Sequence, residues 1–340
     1  MCKAIIASTK HLCGDWIDQP AGLIPWDNCG GCGIQKLGPE YLGETTKRTP
    51  CPDCIENGKW KQNIDEEIVL KIPRETGSDA FLREIKMFDL FEKFKPCPMI
   101  VQSFLRVPEG NFLAFLSGGT LDQRLRANQV RVGHSYRGRV ETVTKQEPIE
   151  LVEQWSMELS YAAAWLENLG YVHGDIRPPN LLLDGDNRLK LIDFDCAAKI
   201  GSPSDGSAPP WARILGVEAG EDAGSFGLYG ARTEQFAIGS VIYLMTRGYE
   251  PYENEDPGLN IVSLFRCMKF PPLGNDPLDR IIDRCWKGQF ECLKDLAEEA
   301  RTLIGDRHPA FLLPPAAQHR LQLQNKCQTL VDQGLFEWEV

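Results

Sequence analysis

Long apolar runs are missing from this sequence. Its most sustained one, Ala237–Met245, falls well short of the about 20 residues that cross a bilayer, so no membrane span is expected. The opening stretch MCKAIIASTKHLCGDW has neither a sustained apolar core nor a cleavage site, so a secretory signal is not expected either. Positive charge is also in short supply. Lys and Arg number 37 against 48 Asp and Glu, a formal net charge of −11, which argues against a broad surface for nucleic acid or anionic membrane. Internal repeats are absent. With 42% hydrophobic and 25% charged residues, the composition is that of a folded globular chain and excludes wholesale disorder. The expected compartment is the cytoplasm or nucleus, where cysteines stay reduced or bind metal.

Cysteine is what the chain has in excess. Of 12 cysteines, six fall in the first 54 residues. Cys29-Gly-Gly-Cys32 and Cys51-Pro-Asp-Cys54 form two CxxC pairs separated by 18 residues. A CxxC knuckle presents two thiolates from one tight turn, and two knuckles complete the tetrahedron that zinc prefers. Gly30, Gly31, Gly33 and Pro52 suit such turns. A structural zinc on Cys29, Cys32, Cys51 and Cys54 is therefore expected, with Cys2, His11 and Cys13 as alternative ligands. Such a metal would supply folding energy to a segment with little core of its own, and the module could dock a protein partner.

The composition changes near residue 62. Residues 1–62 are rich in Cys, Gly and Pro with little periodic pattern, whereas residues 63–305 alternate strands and helices. Glu67–Ile72 and Asn111–Leu116 are expected as strands. Asp79–Phe94 has helical spacing, with Asp79 as cap and Pro96 beyond the end. The clearest helix is Ile149–Leu169, where Val152, Trp155, Leu159, Ala162, Leu166 and Leu169 make one apolar stripe, with Pro148 before it and Gly170 after it. A hairpin, Leu181–Leu183 with Leu189–Ile192, turns through Asp184-Gly185-Asp186-Asn187. Residues 201–230 are expected as a long loop. Helices are expected near 232–247, 276–288 and 291–304, and a last one in the tail, 306–340, ending about Gln333.

The chemistry-bearing string follows the striped helix. It runs Tyr171-Val-His173-Gly-Asp175-Ile-Arg177-Pro-Pro-Asn180, then the hairpin, then Asp193-Phe194-Asp195. This order resembles the catalytic core of eukaryotic protein kinases, over roughly residues 64–305. It is especially similar to a group of fungal kinase-like proteins that carry HGDIRPPN and DFD. The resemblance implies an α+β, two-lobed protein-kinase-like fold with a mainly helical C-lobe (N-lobe 63–117, C-lobe 118–305), preceded by the zinc-ribbon-like module. It also implies ATP and Mg²⁺ as cofactors and transfer of the γ-phosphate to a protein hydroxyl, of Ser/Thr type. On that resemblance Asp175 accepts the acceptor hydroxyl's proton, and Arg177 takes the place near the transferred phosphate usually given to lysine. Asn180 and Asp193 hold Mg²⁺. Lys71 grips the phosphates and Glu84 is its helix partner. The linker Leu113–Ser117, with Ala114 and Leu116, offers backbone groups to adenine. Glu234-Gln-Phe236-Ala-Ile-Gly239 resembles the start of the central C-lobe helix, with Glu for the usual Asp, and Arg280–Trp286 resembles a later C-lobe helix.

Four positions depart from the family pattern. The only candidate for the glycine-rich phosphate loop, Leu37–Thr45, keeps two of three glycines and lies between the CxxC pairs. Gly174 replaces the arginine that precedes the catalytic aspartate, which removes a sensor for a phosphorylated activation segment. Asp195 replaces glycine after Asp193-Phe194. Tyr229-Gly-Ala231 stands where A-P-E is usual. Two other functions therefore stand beside an active protein kinase. One is a pseudokinase or scaffold. The other is an atypical HGD-type kinase, like the one that assists a tRNA-modification complex.

Overall fold

The computed structural model describes residues 2–10, 16–25, 40–46, 67–73, 77–132, 138–255, 260–305 and 317–336. Cys29, Cys32, Cys51 and Cys54 lie outside these residues. The chain divides into two units, Met1–Arg74 and Glu75–Val340. The division falls inside the segment that the sequence assigned to the N-lobe.

The first unit contains β1 (Cys2–Lys10), β2 (Trp16–Pro25) and β3 (Glu40–Thr46) in a sheet of order β2-β1-β3. β1 runs antiparallel to β2 and parallel to β3. These strands were not expected from a Cys/Gly/Pro-rich segment. Gly43 of the candidate phosphate loop lies inside β3 rather than at a turn. β4 (Ile68–Lys71) follows, matching the expected strand, with Ile68 fully buried.

The second unit opens with α1 (Asp79–Phe91), whose N-cap is Ser78 rather than Asp79. Asp79 sits in the first turn, where its charge complements the helix dipole. Phe81, Glu84, Met87, Phe88 and Phe91 form its buried face. The hairpin β5 (Ser103–Val107) and β6 (Gly110–Ala114) comes next. α2 (Leu121–Arg126) is closed by a capping box between Thr120 and Gln123, and a second hairpin follows, β7 (Gln129–Arg131) with β8 (Val140–Val143).

The helical region is built on α3 (Ile149–Asn168). Val152, Trp155, Leu159, Ala162 and Leu166 of the expected stripe are all buried, but so are Met157, Glu158 and Ala163, so the helix is enclosed on more than one face. Gly170 takes a φ of +81° just past its end, a conformation that favours glycine. Trp155 is fully buried and its indole N–H donates to the Asn187 carbonyl at 2.8 Å. Trp165 is only half-buried, edge-on to Phe91.

Two short paired strands, β9 (Tyr171–Val172) and β12 (Ala198–Lys199), bracket the hairpin β10 (Leu181–Leu183) and β11 (Leu189–Leu191). Then come α4 (Ala231–Arg247), α5 (Ile261–Arg266), α6 (Pro277–Trp286) and α7 (Leu293–Ile304). Every residue of α4 from Glu234 to Met245 is buried. Trp286 of α6 stacks on Phe270 at 5.0 Å and donates to the Ser240 hydroxyl at 3.0 Å. A Cβ at Gly239 would stand 2.7 Å from that of Cys285, so α4 and α6 meet too closely there for a side chain.

The tail forms α8 (Ala317–Asp332), close to its expected end. α8 packs on β5, buries Leu323 and Cys327, and pairs Arg320 with Glu92 at 2.7 Å. Among the described residues no helix is long and apolar enough to cross a membrane.

Candidate active site

The loop from His173 to Asn180 connects β9 to β10. Its last three residues make a 3₁₀ turn begun by Pro178, where a fixed φ and a missing N–H cost nothing. That turn brings Asn180 back onto Asp175. The Asn180 amide nitrogen donates to the Asp175 carbonyl at 2.9 Å and to Asp175 Oδ2 at 2.8 Å. Arg177 Nε donates to the same Oδ2 at 2.8 Å. Asp175 Oδ1 accepts from the Ser207 hydroxyl at 3.2 Å. Three residues chosen on sequence, Asp175, Arg177 and Asn180, thus share one carboxylate. Ser207 was not chosen, because it sits in a Gly/Ser/Pro-rich loop with nothing in its neighbours to mark it.

His173 underlies this loop and is completely buried. Its Nε2 lies 2.8 Å from the Ile192 carbonyl, while the Asp175 N–H approaches Nδ1 at 3.3 Å. A carbonyl needs a donor and an N–H needs an acceptor, so Nε2 carries the proton and the ring is neutral. Burial lowers its pKa, consistent with the neutral form. The Ile192 N–H donates to the Asn180 carbonyl at 3.0 Å, which ties the His173–Asn180 loop to the strand leading into Asp193.

Asp193 is buried and holds φ +69° and ψ +71°, a conformation uncommon outside glycine that concentrates at functional sites. Phe194 is fully buried, edge-on to Phe88, Phe91 and His173 at 5.5, 5.0 and 5.2 Å. Burying such a ring contributes roughly 1.5–3 kcal/mol, and each edge-on pair about 0.5–1.5 kcal/mol more. The segment is therefore pinned through its middle residue. The left-handed residue here is Asp193, and Asp195 lies in the 3₁₀ turn after it. Aspartate in the usual glycine position therefore carries no backbone strain. The Asp195 carbonyl accepts from Arg83 Nε of α1 at 2.8 Å.

Asp175, Asp193 and Asp195 all lie close enough to act on His173. They also act on Cys196, whose thiol is pushed up to about 12, first by burial and then by these carboxylates. It is therefore not a nucleophile at neutral pH. No group of three or more His, Cys, Asp and Glu side chains capable of holding a metal occurs among the described residues. A carboxylate and an amide oxygen match a cation that retains waters and phosphate oxygens as its other ligands, as Mg²⁺ does.

Glu234, at the start of α4, fastens the loop from below. Its carboxylate accepts the His173 N–H at 2.8 Å and the Gly174 N–H at 3.3 Å. Gly174 itself has φ +77°, and a Cβ there would stand 2.5 Å from the Cys196 carbonyl. The arginine usual in this position is excluded by backbone contact.

The other chosen residues are placed as follows. Lys71 ends β4 of the first unit. Glu84 is fully buried on α1. The Ala114 N–H already donates to the Gln102 carbonyl at 2.9 Å, so that amide is not free for adenine. Leu116 lies just beyond the end of β6.

Comparison with known proteins gives the class. The family model described as protein tyrosine and serine/threonine kinase matches residues 54–298. The chain belongs to that family. Among curated relatives, human Citron Rho-interacting kinase is 33% identical over 162 residues, covering 42% of this chain and 8% of the relative. CBL-interacting serine/threonine-protein kinase 20 of Arabidopsis thaliana is 25% identical over 219 residues, covering 56% of this chain and 49% of the relative. Maternal embryonic leucine zipper kinase of Xenopus laevis is 30% identical over 105 residues, covering 31% and 16%. The chain spans half or less of the length of these relatives.

The Glu234 clamp has a pH signature. Burial lifts its carboxyl from 4.5 to about 7, against the two N–H groups that favour the charged form. Between those values the folded chain holds a proton that the unfolded chain has released. Its contribution is full below about pH 4.5 and lost as pH rises through 7. Glu234→Gln is expected to remove that slope. It also leaves one loop N–H without an acceptor, at about 1–3 kcal/mol. Urea unfolding of both proteins across this window checks it; parallel curves for the two would contradict it.

Proposed function

We propose that the chain is an ATP- and Mg²⁺-dependent protein kinase of the Ser/Thr type. The observation that carries this reading is the division of labour on Asp175. One carboxylate oxygen is committed to Arg177 and Asn180, and the other faces a hydroxyl. That is the arrangement phosphoryl transfer requires of the residue that orients an acceptor hydroxyl and takes its proton.

Asn180 spends its amide hydrogens on Asp175, which leaves its amide oxygen for a cation, with Asp193 supplying the carboxylate. The bound metal would neutralise charge on the phosphates. Arg177 holds Asp175 while the rest of its half-exposed guanidinium can face the transferred phosphate. The family pattern assigns phosphate binding to Lys71 and adenine to the Leu116 backbone, since the Ala114 N–H is already bonded to Gln102. Buried Phe194 and neutral His173 keep this geometry fixed without adding charge.

The HGDIRPPN and DFD strings support membership in the fungal kinase-like group. Its four paired cysteines hold one structural zinc in a module that docks a protein partner, and the reduced thiols suit the cytoplasm or nucleus. A scaffold role without turnover is the second reading. It is favoured by the position of Gly43 inside β3 rather than at a phosphate-cradling turn. The HGD-type kinase of a tRNA-modification complex has no observation in its favour beyond the triplet itself.

Wild type is expected to bind Mg²⁺-ATP and phosphorylate a protein hydroxyl. Asp175→Ala should slow transfer by about 10²–10⁴-fold with nucleotide binding retained, and Asp193→Ala should abolish the Mg²⁺ dependence of binding. Binding without transfer above the Asp175→Ala background selects the scaffold. Metal analysis is expected to find about one zinc per chain. Zinc retained after Cys29, Cys32, Cys51 and Cys54 are all changed to Ser would contradict the cysteine assignment.

A further inference from the structure

Arg232 stands near the start of α4, two residues before Glu234, and is half-buried. Its Nη2 donates to the Phe226 and Leu228 carbonyls at 2.5 and 3.4 Å, neutral acceptors that supply no counter-charge. Among the described residues its Nε and Nη1 have no hydrogen-bond partner. Burial and the nearby Arg213 lower its pKa against the pull of Asp222, as happens to a poorly solvated cation beside another. Arg232 lines a cleft together with Arg213 and Asp175. Trp211 and Tyr229, both buried, form part of its walls, and apolar walls strengthen charge pairing inside. The carboxylates of the cleft are already engaged. Asp175 holds Arg177 and Asn180, and Glu234 holds the His173 and Gly174 N–H groups. The exposed acids Glu221 and Asp222 do not line the cleft. Arg213 shows what the cleft accepts, because its largely buried guanidinium takes the exposed Glu218 carboxylate at 2.6 Å.

We propose that Arg232, with Arg213 beside it, reads a carboxylate of the protein substrate, so that preferred acceptor hydroxyls have an Asp or Glu close by in sequence. The inference rests on the kinase reading and names its substrate class. Asp175 is the residue that meets the acceptor, and Arg232 shares its cleft. An extended peptide advances about 3.3–3.6 Å per residue, which puts the carboxylate within about two residues of the acceptor. A charge-assisted bond from a guanidinium to a carboxylate is stronger than one to a carbonyl, so the incoming side chain gains over the partners Arg232 has now. Recognition has to come from this contact. At a net charge of −11 the field of the whole chain does not draw in an acidic peptide. A lysine in the same place would instead meet two guanidinium groups.

The test gives the whole chain Mg²⁺-ATP and a phosphatase-treated chymotryptic digest of cell protein, and maps the new phosphosites by mass spectrometry. Asp and Glu are expected to be enriched about tenfold over Asn and Gln at one position within about two residues of the acceptor. Arg232→Gln should level that position, and Arg232→Glu should turn its preference to Lys and Arg. Each ranking is taken within one protein, so a general loss of activity does not imitate the reversal. If Arg232→Gln transfers no phosphate at all, Arg213→Gln makes the same comparison and should weaken the enrichment. Wild type that phosphorylates peptides without an acidic preference near the acceptor, or with a basic one, overturns the proposal and leaves the kinase reading standing. So does an acidic preference that survives in Arg232→Gln, or that Arg232→Glu does not reverse. Absence of phosphate on every peptide removes the kinase reading, and this proposal with it.

Discussion

A buried carboxylate at the foot of a helix holds the candidate site in register. Glu234 lies within the most enclosed helix of the second unit and receives the backbone of His173 and Gly174. The loop above it is short, glycine-containing and rich in polar atoms, and would not keep one conformation by packing alone. Two N–H groups on one carboxylate set its direction. The Pro178–Asn180 turn then returns the chain so that Asn180 closes onto Asp175. Aspartate, the usual residue here, is one methylene shorter than glutamate, yet the longer side chain still reaches both amides. The substitution noted in the sequence therefore keeps its anchoring role.

Around that anchor the site combines rigidity with clustered negative charge. Phe194 and His173 are apolar or neutral and completely buried, and they meet edge to face. The three aspartates stand over them. A cluster of this sign is costly in a low-dielectric setting unless cations share it; Arg177 pairs with the Asp175 carboxylate, and Arg83 reaches the Asp195 backbone carbonyl. Carboxylates clustered in this way fit the family's use of a divalent cation with the phosphates it accompanies. Gly174 shows the other constraint. The close pass of the Cys196 carbonyl leaves no space for a side chain, so loss of the family's arginine is built into the backbone path.

Much of this was legible in the sequence because the signals were local and repeated. α3 announced itself through an apolar stripe over 20 residues bounded by Pro148 and Gly170. The order of Asp175, Asn180 and Asp193 carried the family. What the sequence did not disclose depends on distant partners. β5 and the β7–β8 pair are three to five residues long, too short for periodicity to separate from loop. The strands of the first unit lie in a Cys/Gly/Pro-rich segment whose composition disfavours the assignment. Ser207 is 32 residues from Asp175, and only the path of the intervening chain brings the two together. The Ala114 amide is spent on Gln102 through hairpin pairing, which the residue types around it do not reveal.

Phosphoryl transfer is expected at the Asp175–Asn180–Asp193 arrangement. A crystal structure of the whole chain with Mg²⁺ and a non-hydrolysable ATP analogue tests it most directly. The prediction is metal density bridging the phosphates to the Asn180 amide oxygen and the Asp193 carboxylate, with Asp175 Oδ1 turned toward the terminal phosphate. Nucleotide bound elsewhere, or a site that stays empty at saturating nucleotide and metal, would contradict it.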